Sequence, residues 1–146
     1  MRHRKRDGWE DISRGKMKIL LVGNPNVGKS ALFSRLTGVD VAISNYAGTT
    51  VEYKKGMMKL GKEKVEIIDV PGTYSLSASS KAEEVATDML KEGDVVINVV
   101  DVTNLERNLY LTLQLLEKNI PIIVALNFWN ETKHQGIEVD VKKLES

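Results

Sequence analysis

The 146-residue sequence predicts an α/β fold, a mainly parallel sheet flanked by helices on both faces. Three observations predict it. Apolar runs of strand length at 18–22, 95–100 and 121–126 are separated by segments of helical periodicity, the signature of βαβ units. The first run passes through a glycine-containing turn, Gly23-Asn-Pro-Asn-Val-Gly-Lys-Ser30, directly into such a helical segment. The polar motifs fall at or near the ends of predicted strands, where open α/β sheets gather their ligands.

Taken in order, residues 1–16 have no useful periodicity. Their basic residues, Arg2, Arg4, Lys5, Arg6, Arg14 and Lys16, outnumber Asp7, Glu10 and Asp11, so they read as a solvated, unstructured extension ahead of one domain at 17–146. Residues 18–22 are the first strand. The helix after it carries an apolar stripe of Leu32, Phe33 and Leu36. Residues 38–50 are polar and lack helix signals, which predicts a loop. Residues 51–60 and 64–69 predict a hairpin about Gly61, and 75–80 continue as loop. A helix over 82–90 takes Ser79 or Ser80 as its cap. Residues 95–100 predict a buried strand. The helix over 105–118 shows Leu105, Leu109, Leu113 and Leu116 at helical spacing. Residues 121–126 predict another buried strand, and Asp140 could cap a last helix reaching Ser146.

Composition narrows the function classes. A formal net charge of +1 offers no general electrostatic case for nucleic acid. The chain has no cysteine, hence no disulfide framework, thiolate metal site or cysteine nucleophile. The apolar runs fall far short of the ~20 residues that cross a bilayer, and no apolar segment follows the N-terminal charges as in a secretory signal. The expectation is a soluble, cytoplasmic domain.

Residues 23–30 fit G-x-x-x-x-G-K-[ST], a loop whose backbone amides cradle phosphates while its Lys and hydroxyl reach the terminal phosphates and Mg²⁺. Strand, loop and helix is the required context, because the phosphate sits on unpaired N–H groups at the helix start. The candidate nucleotide contacts are Asn24, Pro25, Asn26, Val27, Gly28, Lys29, Ser30 and Ala31. Asp69-Val-Pro-Gly72 follows a strand; its carboxylate can hold Mg²⁺ through water and the Gly72 N–H can meet a γ-phosphate. Thr49 or Thr50 supplies a hydroxyl to complete the Mg²⁺ shell with Ser30. Asn127-Phe-Trp-Asn130 stands where a guanine-reading N-K-x-D is expected. His3 and His134 read as ordinary surface residues.

These pieces in this order match the GTPase pattern. Together with Asn45-Tyr-Ala-Gly-Thr-Thr-Val-Glu52, Asp69-Val-Pro-Gly-Thr-Tyr-Ser-Leu76 and Asp101-Val-Thr-Asn-Leu-Glu-Arg-Asn-Leu-Tyr-Leu-Thr-Leu-Gln114, the sequence resembles the N-terminal G domain of the ferrous iron transport protein B family over residues 17–146. The resemblance implies a P-loop NTPase fold, a Ras-like G domain, here ending before the last strand and helix and before the family's helical and membrane-spanning regions. It selects Thr50 over Thr49 and implies activation by K⁺ with Asn26 as a ligand, helped by carbonyls near Ser44 and Tyr46. It also implies guanine nucleotide as ligand and the membrane permease region of a full-length transporter as partner. Lys29, Thr50, Gly72 and Asn26 are then the candidate catalytic residues, and Ser30, Thr50 and Asp69 the Mg²⁺ ligands.

Two residues depart from the pattern. Thr73 stands where many small GTPases carry a water-orienting Gln, which predicts slow hydrolysis, assisted by K⁺ and suited to a switch through residues 38–50 and 72–83. Asn130 replaces the Asp of the guanine motif. Its amide offers one acceptor where a carboxylate offers two, so guanine contact weakens and xanthine suits it better. Two other functions compete: a nucleotide-binding module with negligible catalysis, and an RNA- or ribosome-associated GTPase using the basic extension, against which the 104–114 stretch argues.

Overall fold

The computed structural model describes residues 17–38 and 41–130. Among these described residues, six strands form one sheet in the order β2-β3-β4-β1-β5-β6: β1 (Lys18–Gly23), β2 (Val41–Asn45), β3 (Glu52–Leu60), β4 (Glu63–Asp69), β5 (Val95–Asp101) and β6 (Ile122–Asn127). β1 pairs in parallel with β4 and β5, and β5 with β6. β3 is antiparallel to both β2 and β4. The four parallel strands therefore direct their carboxyl ends to one edge.

Among the described residues, three α-helices cover the sheet: α1 (Lys29–Leu36), α2 (Lys81–Leu90) and α3 (Leu105–Leu116). Successive β1 side chains point to opposite faces, and both faces are buried, which is why the strand reads as a continuous apolar run. Leu20 and Val22 join Val85 and Met89 of α2 and Leu111 and Leu115 of α3 in one core. Ile19 and Leu21 join Ile67 and Phe33 of α1 in the other. Phe33 is the one buried side chain within α1, so its truncation to Ala would cost about 3–5 kcal/mol. At α2 the cap is Ser80, whose hydroxyl accepts the Glu83 N–H at 3.2 Å, with Glu83 and Glu84 favourably placed in the first turn.

Three expectations are corrected. Residues 38–50 are not all loop, because Val41–Asn45 pairs with β3 from Val41↔Gly56 to Asn45↔Glu52. This outermost strand is held by backbone hydrogen bonds rather than apolar burial, since Ile43 is 63% exposed. The leucine stripe of α3 also faces the wrong way: Leu113 and Leu116 are exposed, while Asn108, Leu111, Thr112 and Leu115 are buried. Leucines lie all around this helix, so their spacing could not choose a face; hydrogen bonds to Asn108 and Thr112 did. Finally, β6 is half-exposed rather than buried, with Ile123 57% and Val124 43% accessible, because it is an edge strand among the described residues. The extension at 1–16, the helix expected from Asp140 and the expected absence of a further strand all concern residues outside the described ones.

Candidate functional site

The loop after β1 is shaped by close approaches that only glycine permits at two points. A Cβ on Gly23 would lie 2.7 Å from the Val99 carbonyl of β5. One on Gly28 would lie 2.1 Å from Asn127 Nδ2, and Gly28 has φ 88°, in the left-handed region. Asn26 also turns left-handed at φ 64°. The chain thus doubles back and enters α1 at Lys29, with no side chain capping the helix start. The first amides of α1 consequently have no side-chain partner and suit an anion. Asn127, at the end of β6, donates from Nδ2 to the Val27 carbonyl at 2.8 Å. The candidate base-reading residue is thereby fastened to the phosphate loop a hundred residues earlier.

Lys29 and Asp69 meet at the carboxyl ends of β1 and β4. The Lys29 ammonium is hydrogen-bonded to the Asp69 carboxylate and, at 2.7 Å, to the Val70 carbonyl. Both side chains are only 10% exposed. Gly72 follows closely, and a Cβ there would stand 3.2 Å from Pro25 Cα. Thr73 N–H donates to the Gly23 carbonyl at 3.1 Å, tying the second motif to the start of the first. Lys29, Asp69, Val70 and Gly72 line one wall of a cleft of about 240 Å³, and Ile43, Glu52 and Tyr53 line another. The sequence assigns Lys29 and Asp69 separate duties; their ion pair is a feature it does not reveal.

The remaining candidates are placed as follows. Ser30 and Ala31 are exposed on the first turn of α1, as is Asn26 on the loop, while Val27 is buried. Asn24 is buried at 1% exposure, with both side-chain polar atoms lacking a hydrogen-bond partner; the Thr73 hydroxyl is in the same condition. Thr49 accepts the Val51 N–H and donates to the Tyr46 carbonyl, closing the β2–β3 connection. Thr50 is exposed on that connection and does not line the Lys29–Asp69 cleft. Asn130 is exposed, three residues beyond Asn127 and past Phe128, whose φ is 63°. The described residues contain no group of three or more His, Asp or Glu able to hold a metal ion.

A polar network that sequence reading missed braces this edge. Asn98 on β5 donates to the Val22 carbonyl at 3.2 Å and accepts from Thr112 on α3. Asn108 accepts the Asp101 N–H at 3.0 Å and donates to the Asn104 carbonyl at 2.9 Å. Gln114 accepts the Leu76 N–H at 2.7 Å. The signal was present as polar residues on a leucine-rich helix, though spacing alone did not mark them as buried. Elsewhere, hydrogen bonds from Ser79 hold the Glu83 carboxyl below its ordinary range. Burial raises that of Glu66, against the opposing pull of Lys18 and Lys55. Tyr46 and Tyr53, edge to face at 6.4 Å, are both raised by desolvation first.

This arrangement has close counterparts. The profile of the family described as ferrous iron transport protein B matches residues 17–146. The Fe(2+) transporter FeoB of Salmonella typhimurium is 49% identical over 135 residues, covering 88% of this chain and 18% of that protein. A fusion of Fe(2+) transport protein A with Fe(2+) transporter FeoB from Porphyromonas gingivalis is 47% identical, covering 88% of this chain and 16% of that protein. The chain thus spans less than a fifth of the length of these curated relatives. Among solved structures, the cytosolic domain of L. pneumophila FeoB superposes with a TM-score of 0.82 at 44% identity, covering 88% of this chain and 56% of that one. A mutant S. thermophilus NFeoB bound to mGDP superposes at 0.83 and 47%, covering 88% and 50%. The fold is that of a P-loop NTPase, a Ras-like G domain, and no described helix is long and apolar enough to cross a membrane. The chain therefore belongs to the ferrous iron transport protein B family.

Proposed function

We propose that this domain binds GTP and GDP with Mg²⁺, hydrolyses GTP slowly, and uses its nucleotide state to regulate ferrous iron uptake by the membrane region of a longer transporter. The observation that carries the reading is the meeting of Lys29 with Asp69 beside the uncapped start of α1. An anion needs the amides and the ammonium, and a hard cation beside it needs a carboxylate and hydroxyl oxygens. The S. thermophilus NFeoB structures bound to mGDP and to GDP support a guanine ligand.

In this reading the amides of residues 26–30 and Lys29 Nζ hold the β- and γ-phosphates. Asn24, Pro25 and Ala31 complete the loop, and Asn127 and Asn130 meet the base. Ser30, Asp69 and Thr50 would hold Mg²⁺, whose chemistry there is to neutralise phosphate charge. Thr50, exposed on its connection, has to swing inward to take part. Gly72 N–H faces the γ-phosphate. Asn26, exposed and left-handed, would hold K⁺ where negative charge develops in the transition state. Thr73 cannot orient water as a Gln does, so hydrolysis is slow. The domain would work on the cytoplasmic face of the membrane.

A second reading, nucleotide binding with negligible hydrolysis, is favoured by the buried Thr73 hydroxyl, which is closed off from solvent. One experiment separates the two: titration with GTP, GDP, ATP and XTP, then phosphate release in K⁺ and in Na⁺. Release faster in K⁺ supports the first reading. No release in either salt leaves the second, and absence of guanine nucleotide binding defeats both.

A further inference from the structure

The segment after Gly72 is held at four points, two of which come from α3 and one from α2, where the Glu83 carboxylate accepts the Ser75 hydroxyl at 3.1 Å. Thr73 N–H bonds back to the Gly23 carbonyl at 3.1 Å. The Arg107 guanidinium lies over the Tyr74 ring at 5.1 Å from its centroid. Gln114 Oε1 accepts the Leu76 N–H at 2.7 Å. Arg107 and Gln114 are seven residues apart, two turns, and so share one face of the helix. The helix itself is fixed to the sheet by the part-buried bond of Asn108 and the buried bond of Thr112 to β5, and β5 by Asn98 to β1. A rigid path of hydrogen bonds thus runs from the strand that feeds the phosphate loop to the segment that follows Gly72.

From this geometry, and resting on the nucleotide reading above, we propose that Gln114 is a positioning residue for the γ-phosphate side of the site. By holding Leu76 it sets the course of residues 72–76 and hence the aim of the Gly72 N–H. Arg107, on the exposed ring of Tyr74, is the second clamp. GDP has no γ-phosphate and does not call on Gly72, so the clamp favours GTP over GDP without touching either. The loss of one such hydrogen bond corresponds to roughly a fivefold change.

The test is to titrate wild type, Gln114→Leu and Gln114→Glu with GDP and with a non-hydrolysable GTP analogue, and to follow amide exchange at Leu76. Gln114→Leu is expected to bind the analogue roughly fivefold more weakly, leave GDP unchanged and speed exchange at Leu76. Gln114→Glu keeps an acceptor oxygen and should restore both readings. Equal weakening for the two nucleotides would mean a merely structural role and overturn the proposal. So would loss of Leu76 protection with analogue affinity intact. If Gln114→Leu does not fold, Arg107→Ala is titrated the same way, with the same selective loss expected and equal or absent loss counting against it. A wild-type chain that binds neither nucleotide overturns the functional reading and this one together, an outcome distinct from failure of the clamp alone.

Discussion

Lys29 and Asp69, forty residues apart, are bonded to each other where β1 and β4 end, and the same ammonium also donates to the Val70 carbonyl. In the proposed nucleotide complex a phosphate would draw Lys29 away from this pair and leave Asp69 available to a cation. Lys29→Ala should therefore weaken GDP roughly ten- to a hundredfold, the worth of a charge-assisted hydrogen bond. Asp69→Asn should bind GDP without Mg²⁺ but gain nothing when Mg²⁺ is added. It should also lower the stability of the nucleotide-free protein by about 1–3 kcal/mol, because the amide oxygen can still accept from Lys29 but the opposite charge beside this little-exposed ammonium is gone. Fluorescent GDP titrations with and without Mg²⁺, paired with urea unfolding, read all three effects.

Gly28 and Asn127 form the second joint of the site. Gly28→Ala places a Cβ 2.1 Å from Asn127 Nδ2 and also forces an L-residue to φ 88°. The expected result is lost nucleotide binding and a destabilisation of about 2 kcal/mol or more. Adding Asn127→Ala removes the clash but not the backbone strain, so the double variant should regain part of the stability while still lacking the Val27 tether. Denaturation midpoints for the two single variants and the double variant decide this; strictly additive losses would contradict a shared clash.

The phosphate-loop motif, the order of strands and helices apart from β2, and a serine cap at 79 or 80 were legible because each has a short-range physical signature: unpaired amides, alternating periods, a hydroxyl ahead of two acids. Three features were not. β2 is held by pairing with β3, a non-local cause that leaves little trace in Val41–Asn45. The buried face of α3 depends on partners 4 to 14 residues away for Asn108 and Thr112, which no periodicity records. β6 resembles a buried strand in composition, and only its place at the edge of the sheet among the described residues exposes Ile123 and Val124. The candidate site shows the same divide: its motifs can be picked out from residue types, whereas the Lys29–Asp69 and Asn127–Val27 bonds required the fold.

The adjacent threonines should separate cleanly. Thr49 is consumed by two hydrogen bonds that close the β2–β3 connection, at 2.9 and 3.0 Å. Thr49→Val should cost about 1–2 kcal/mol of stability, with hydrolysis affected only through folding. Thr50 is exposed, so Thr50→Ala should leave the melting temperature unchanged and reduce Mg²⁺-dependent phosphate release at least tenfold. The reverse assignment follows if Thr49→Val is the one that abolishes Mg²⁺ dependence in a stably folded protein.

Two carboxylates give opposite pH signatures. Burial raises Glu66, so its protonated form is favoured by folding. Its stabilising contribution is present in acid and lost as pH rises through the raised value. Hydrogen bonds from Ser79 lower Glu83, so its contribution is present above the ordinary carboxylate range and lost as pH falls through the lowered value. Glu66→Gln should therefore raise the urea midpoint near about pH 7, with the gain fading toward about pH 4. Glu83→Gln should lower the midpoint at neutrality, and its deficit should close in acid. Parallel pH profiles for the two variants would refute the assignment.

Base choice is where this chain should differ most from a domain with the full guanine motif. Asn127 spends one Nδ2 hydrogen on the Val27 carbonyl, and in the proposed complex discrimination at the Watson–Crick edge falls to Asn130, which is exposed. An amide presents one acceptor and one donor where guanine's two N–H groups require two acceptors. The unmade contact costs on the order of 1–3 kcal/mol, or roughly ten- to a hundredfold in affinity. Asn130→Asp should tighten GDP by that factor and weaken xanthosine diphosphate, whose carbonyl then faces a carboxylate. The ratio of the two affinities is the decisive quantity, because a change in fold or loop order would move both nucleotides together. If the ratio is the same in wild type and Asn130→Asp, the base is read by Asn127 and backbone amides, and residue 130 has no part in selectivity.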